Sequence, residues 1–282
     1  MAASQCGADT TSFESVEFPF GHAALQGSIG WIYVTEQHAR ALSPALLWAG
    51  KNEIISLNVL TETDADVLAR RAQLFDSDIS IWGVANGRVT RAAASGPLPS
   101  VKVRDTHEQF ALMIETSGAD VVREHGLLTG EVLGLEVCRV VNDDAGDGAR
   151  LEIGVGAHDR ETFQLVHGRD ATVESLARVA GIVRDHRNEG SVPHPLNRLA
   201  PERLLRHRIV ASPELIGAAH LQPVEPPVRR MNVKDEMPCV ALGTLANGTP
   251  VVVVCTASID VDVVAFGADA RLRAAPDAEL FI

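Results

Sequence analysis

Apolar positions in residues 30–34 (GWIYV), 53–60 (EIISLNVL) and 80–84 (SIWGV) come in short runs of strand length, separated by segments with helical spacing. Between the first two runs, residues 40–49 (RALSPALLWA) read as a short helix with Pro44 in its first turn. Between the second and third, Thr63 or Asp64 is expected to cap a helix over residues 65–75. Strand, helix, strand, helix, strand predicts a parallel βαβαβ unit over residues 30–95, closed by a tight turn at Ala85-Asn86-Gly87 and a return strand over residues 88–91. Residues 1–29 lack this regularity and read as a loose tail.

Gly96-Pro97-Leu98-Pro99-Ser100 reads as a linker, and the pattern changes beyond it. Residues 106–124 have helical spacing. Two long strand patterns, 127–141 and 150–156, flank the acidic turn 142–148 and predict a central antiparallel hairpin. Thr172 is expected to cap a helix over residues 173–186, Pro193-His194-Pro195 to break it, and residues 196–208 to form another helix. The proline-dense stretch 223–227 reads as a surface crossing. Residues 240–245 and 250–255 predict a second hairpin around Asn247-Gly248, and residues 251–254 are apolar on both faces, as a central strand requires. Residues 279–282 are strand-like and stop abruptly, which reads as a clipped or altered end with a free strand edge for a homo-oligomer contact. The expected fold class is α/β: the N-terminal parallel βαβαβ unit, then a mixed α+β part over residues 101–282 with two β-hairpins.

Composition narrows the function classes. With 282 residues, 46% hydrophobic and 22% charged, the chain is long enough to bury a core and is neither disordered nor collagen-like. No apolar run approaches the roughly 20 residues of a membrane span, and the N-terminus has neither the basic start nor the apolar stretch of a signal peptide. The four cysteines form no C-x-x-C pair, which suits a reducing compartment, so a soluble cytoplasmic protein is expected. A net charge of −12 argues against a nucleic-acid coat or a membrane-surface protein. Residues 178–234 depart from this with ten basic and five acidic side chains. They are the one stretch that invites a nucleic-acid partner, a solvated helix face being the plainer reading. Twelve aromatic residues are few for a platform that stacks single-stranded bases.

Three places carry candidate chemistry. In residues 130–141 (GEVLGLEVCRVV) both faces are largely apolar, so a carboxylate at Glu136 needs a cation, an arginine or a proton. In residues 150–156 (RLEIGVG) Gly154 and Gly156 beside Glu152 leave an open patch for a packed helix or a ligand, and His158, Asp159 and Arg160 follow at the strand end. Asp260 and Asp262, two apart past the strand 250–255, read as acidic caps or as a pair able to hold Mg²⁺. Catalytic candidates are therefore Glu136, Glu152, His158, Asp159 and Arg160. Ligand-binding candidates are Gly154, Gly156, Asp260 and Asp262, and metal candidates are Glu131, Glu136 and Glu152. In an unbroken strand Glu131 and Glu136 fall on opposite faces, so a shared site requires a bulge at Gly134. The histidine spacings match no zinc pattern, and there is no G-x-S-x-G elbow or phosphate-binding P-loop.

Residues 124–141, 151–168, 194–206 (HPLNRLAPERLLR) and 232–255 resemble an uncharacterised family of conserved hypothetical proteins from high-GC actinobacteria, mycobacterial-like, over most of the chain from about residue 30. That resemblance implies no activity, cofactor or catalytic residue, and a chain that continues past the last strand. GEVLGLEVCRVV, the acidic turn and RLEIGVG also resemble the core hairpin of restriction-endonuclease-like (PD-D/E-x-K) nucleases. This second resemblance implies Glu131 or Glu136 as the first acid, Glu152 as the second, and Mg²⁺ or Mn²⁺ as cofactor. Gly154 stands where that pattern has lysine, leaving Arg139 or Arg160 as the substitute cation. The function expected first is a non-catalytic binding or regulatory protein with a small-molecule or nucleotide pocket. The alternative is a divalent-metal-dependent phosphodiester hydrolase with a nuclease-like site.

Overall fold

The computed structural model describes residues 2–7, 10–97, 99–143, 148–168, 171–188, 190–192, 194–230 and 237–282. The chain is a mixed α/β protein with three sheets among the described residues, and it divides into two compact units, residues 1–98 with 260–273 and residues 99–259 with 274–282.

The N-terminal unit starts with a short helix, α1 (Ala2–Gln5), and is built on six strands: β1 (Glu14–Phe18), β2 (Gly21–Gln26), β3 (Ile29–Val34), β4 (Ser56–Thr61), β5 (Asp78–Ala85) and β6 (Arg88–Arg91). They lie in sequence order across the sheet. β3, β4 and β5 pair parallel, with α2 (Leu42–Lys51) and α3 (Ala65–Ala72) in the two connections. β1, β2 and β6 pair antiparallel, so the sheet is mixed. Residues 14–26 are thus strands and not a tail: Val16, Phe18, Ala23 and Leu25 alternate with polar neighbours and reach the core. That core joins Ile32, Val34, Val59 and Ile81 of the sheet to Leu42, Trp48, Leu68 and Ala72 of the helices.

One local expectation fails here. Asp64 is left-handed (φ 57°) and caps nothing with its side chain, and it accepts instead from Thr63 Oγ1 at 3.1 Å. The third strand's return is as expected, with Asn86 and Gly87 both at positive φ; Gln5 reaches this turn and donates to the Gly87 carbonyl at 2.8 Å. The unit also takes residues 260–273 from far along the chain, most of α9 (Val263–Ala274), which the sequence placed with the C-terminal sheet.

The C-terminal unit holds two four-stranded sheets. The helix expected over residues 106–124 is two short helices, α4 (Asp105–Glu108) and α5 (Ala111–Thr116), followed by strand β7 (Asp120–Glu124). Gly118 at φ +81° ends the helix, and the β-branched pair Val121-Val122 then extends. The expected single strand over residues 127–141 is itself a hairpin, β8 (Leu127–Val132) and β9 (Leu135–Asn142), turning on Leu133 (φ 49°) and Gly134 (φ 74°). A Cβ on Gly134 would stand 2.3 Å from the backbone carbon of Arg203, so both the turn and the close approach require glycine. β10 (Ala149–Ile153) pairs antiparallel with β9 as expected, giving the order β10-β9-β8-β7. Residues 144–147 of the acidic turn lie outside the described residues, as do Leu98 of the linker and Pro193.

β10 stops before the two glycines, and Gly156 opens a helix, α6 (Gly156–His167), that the sequence pattern did not predict. α7 (Val173–Arg187) carries the expected Thr172 cap, whose side chain accepts from Ser175 N at 3.1 Å. α8 (Pro201–Ala211) follows a 3₁₀ turn over Pro195–Arg198 that replaces the start of the expected helix. The second sheet, β11 (Ala218–Val224), β12 (Cys239–Leu245), β13 (Pro250–Cys255) and β14 (Glu279–Phe281), has β13 inside and β11 at an edge, where Pro223 is tolerated.

Candidate functional site

The expected carboxylates of the C-terminal unit, Glu131, Glu136 and Glu152, gather on one face of the β10-β9-β8-β7 sheet. Its register opposes Thr129 to Arg139 and Arg139 to Glu152. The turn at Leu133-Gly134 then opposes Glu131 to Glu136, because a two-residue hairpin brings both side chains to the same face. A one-residue bulge in β9, between Glu136 and Cys138, adds Arg139 to that face. The shared face foreseen for a bulge at Gly134 is thus produced by a turn there and a bulge three residues on.

Each of these carboxylates is held by arginine. Glu136 accepts both arms of Arg139 (3.0 and 2.9 Å) and one of Arg160 (3.2 Å). Glu152 accepts from Arg150 at 2.9 Å and from Gln164 at 3.2 Å, with Arg160 3.5 Å away. Arg160 reaches both because α6 lies close on β10: a Cβ at Gly154 would come within 2.7 Å of the Arg160 backbone nitrogen. The open patch read at Gly154 is therefore filled by a helix and leaves no space there for a ligand, and Gly156 is the first residue of that helix. His158 and Asp159 are exposed on the first turn of α6 and join none of these ion pairs.

Deeper in the unit, Glu124 and Glu131 share Arg203 and Arg206 of α8. Arg206 lies 2.7 Å from Glu124 and 3.5 Å from Glu131, and Arg203 bonds both carboxylates. Burial by itself would raise the Glu124 carboxyl, but the two guanidiniums outweigh it and hold it at about 2. Arg187 has a different solution: its guanidinium donates to the carbonyls of Leu133 (3.2 and 3.1 Å) and Leu199 (2.7 Å), and burial draws it down to about 10. Part of the basic stretch 178–234 is thereby directed inward, since Arg187, Arg203 and Arg206 are buried. Arg184, Arg187, Arg203 and Arg206 all donate to groups of their own unit.

Glu124, Glu131 and Glu136 line one cavity of about 50 Å³, together with Arg139, Arg203 and Arg230. With Arg229 the wall carries four guanidiniums against three carboxylates, an unfavourable field for a divalent cation. Among the described residues no group of three or more His, Cys, Asp or Glu side chains is arranged to hold a metal ion.

Asp260 and Asp262 lie in the N-terminal unit, and arginines stand where a Mg²⁺ would have been held. Asp260 pairs with Arg40, and Asp262 lies 3.2 Å from Arg71 and 3.9 Å from Arg40. Burial pushes the Asp262 carboxyl up to about 6 in spite of Arg71. A folded-state value above the ordinary aspartate range means that the folded protein binds this proton more tightly than the unfolded chain does. The resulting stabilisation is full below about pH 4 and is lost as pH rises through 6. The stability difference between wild type and Asp262→Asn, followed by urea unfolding from pH 4 to pH 7, is expected to shift against wild type as pH rises. A difference that does not change with pH would remove this account.

The sequence did not single out a cleft of about 630 Å³ on the sheet face of the N-terminal unit. Tyr33, Leu60 and Trp82 share one row across β3, β4 and β5, alternating with the core row Ile32, Val59 and Ile81. Trp31, Tyr33, Leu60, Val84 and Val89 line the cleft, and Phe13 adds a ring 6.0 Å from that of Trp31. Trp31 is 7% exposed, and its Nε1 finds no acceptor among the described residues. Tyr33 donates to Glu62 at 2.5 Å, and Trp82 Nε1 to Asn58 at 2.9 Å. The available signal was the Trp31-x-Tyr33 alternation, opposite in phase to Ile32 and Val34 within one strand. A second cleft of about 910 Å³ lies beside the β1–β2 hairpin and α2, with Trp48 in its wall. No helix of the described residues is long and apolar enough to cross a membrane. No family model matches the chain, and no curated protein or solved structure matches it either.

Proposed function

We propose that this chain is a non-catalytic binding protein that holds a small, planar, largely apolar molecule in the cleft of Trp31 and Tyr33. The observation that carries the reading is the cleft itself, about 630 Å³ with Phe13, Trp31, Tyr33, Leu60 and Val84 in its wall. Ligand sites have this size and this apolar, aromatic make-up with a few polar groups. We read β3-α2-β4-α3-β5 as a βαβαβ unit that sets these rings rigidly on a sheet face. Trp31 Nε1, buried without an acceptor, supplies a donor that a bound ring's carbonyl or nitrogen satisfies. No lysine or arginine is among the described residues lining the cleft, which turns the reading from a nucleotide toward an uncharged ring.

The metal-dependent hydrolase is the weaker reading. Glu131 and Glu136 do face one cavity, but Arg139, Arg160, Arg203 and Arg206 already neutralise them.

Thermal unfolding and tryptophan fluorescence test both. With quinoline or coumarin, which carry a ring nitrogen and a carbonyl, a raised midpoint and quenched tryptophan emission are expected, both lost in Trp31→Phe and kept in Trp48→Phe. Saturation at 100 times the dissociation constant adds about 2.7 kcal/mol of stability. No response to either ring, or a response unchanged in Trp31→Phe, would overturn the reading. A rise with Mn²⁺ that disappears in Glu136→Gln would transfer it to the hydrolase.

A further inference from the structure

Cys239 and Cys255 stand directly opposite each other on the antiparallel neighbours β12 and β13. Their register follows from the hairpin: Leu245 N donates to Thr249 O at 2.8 Å, and the ladder runs in step from there to the two cysteines. Opposed residues of an antiparallel pair have Cα atoms about 4.5–5.5 Å apart. A disulfide accepts Cα separations of about 4.4–6.8 Å. Both thiols are buried, at 1% and 2% exposure. They hydrogen-bond each other, and Cys239 Sγ lies 3.2 Å from the Glu202 carbonyl in α8.

We propose that Cys239 and Cys255 are a redox modification site, closing into a reversible cross-strand disulfide with a small peroxide as oxidant. One thiol gives up its proton, its thiolate attacks a peroxide oxygen, the O–O bond breaks, and the leaving hydroxide takes up that proton, so that a sulfenic acid and water result. The second thiol then attacks the sulfenic sulfur, the S–S bond forms, and a second water leaves. Two thiols lose two electrons and two protons, and one peroxide is reduced to two waters.

Two features favour this pair over the other cysteines. The Arg206 guanidinium lies near both. Burial pushes the Cys239 thiol well up, while its hydrogen bond draws the Cys255 thiol below its usual value, which makes Cys255 the attacking sulfur. Cys138 is also buried, with its thiol pushed up to about 12, and no cysteine opposes it to supply an attacking partner: its register partners are Gly130 and Ile153. Oxidation would also withdraw the Cys239 donor from the Glu202 carbonyl in the first turn of α8, the helix that carries Arg203 and Arg206. The site therefore reports to the arginine cluster and does not depend on the proposed ligand cleft.

The test treats folded wild-type protein with hydrogen peroxide, then alkylates free thiols in denaturant and digests with trypsin. Residues 235–270 contain no lysine or arginine, so one peptide carries both cysteines. The expected product is that peptide unalkylated and lighter by about 2 Da, the two hydrogens lost, restored to alkylatable thiols by dithiothreitol. Cys138 is expected to stay alkylatable throughout. Folded Cys255→Ser is expected to show no 2 Da loss. The proposal is overturned if both thiols remain alkylatable while Cys6, which is partly exposed, is oxidised. It is equally overturned if the linked partner proves to be Cys138 or Cys6.

Discussion

Glu131→Ala is expected to destabilise the C-terminal unit by about 3–5 kcal/mol, the range for leaving a buried charge without its partner. Glu131 is 5% exposed and shares Arg203 and Arg206 with Glu124. Without it, two buried guanidiniums face one carboxylate. Urea unfolding, with amide exchange on β8 and α8 to locate the loss, measures the effect. Glu152→Gln is the contrast: its partners are partly solvated, and such pairs contribute about 1 kcal/mol or less. Equal losses in the two variants would show that burial does not rank these ion pairs.

Asp269→Ala should cost the N-terminal unit a similar amount, about 3–5 kcal/mol. Asp269 accepts from Arg70 Nε at 2.7 Å, Arg70 Nη2 at 2.9 Å and Arg71 Nε at 3.1 Å. All three residues are buried, and Arg71 is fully so. Arg71 retains Asp262 and the Ala39 carbonyl, and Arg70 retains Ser95 and the Gly96 carbonyl. Neither remaining set satisfies every N–H of a guanidinium that lost a carboxylate. Because Asp269 is on α9 and its partners are on α3, amide exchange in α9 is expected to rise more than in β4. A loss below about 1 kcal/mol, or exchange unchanged in α9, would show that residues 260–273 are held by packing alone.

Local signals explain which elements were legible. The strands of β3, β4 and β5 were visible because apolar runs of strand length sit between segments of helical period. The Asn86-Gly87 turn and the Thr172 cap were visible because their chemistry is carried by one or two residues. The turn at Leu133-Gly134 was not, because Leu133 at positive φ gives no turn signal inside an apolar run. β1 and β2 were missed because the polar residues between their inward positions outweighed a period of two. That Glu136 must have a partner was legible, since a carboxylate in an apolar strand demands one. The identity of that partner was not.

By itself the sequence determined the strand and helix propensities, the mixed α/β class and the requirement that buried carboxylates be compensated. Those follow from spacing and side-chain chemistry within a few residues, and they do not depend on what lies across space. Only the tertiary structure decided that arginines and not a cation meet these carboxylates, because Arg160, Arg203 and Arg206 come from helices 24 to 82 residues away. It also brought α9 to the N-terminal unit, set Trp31 and Tyr33 around one cleft, and placed Cys239 opposite Cys255. Each is a matter of register or long-range packing, where a shift of one residue turns a side chain to the other face and no local pattern records the choice.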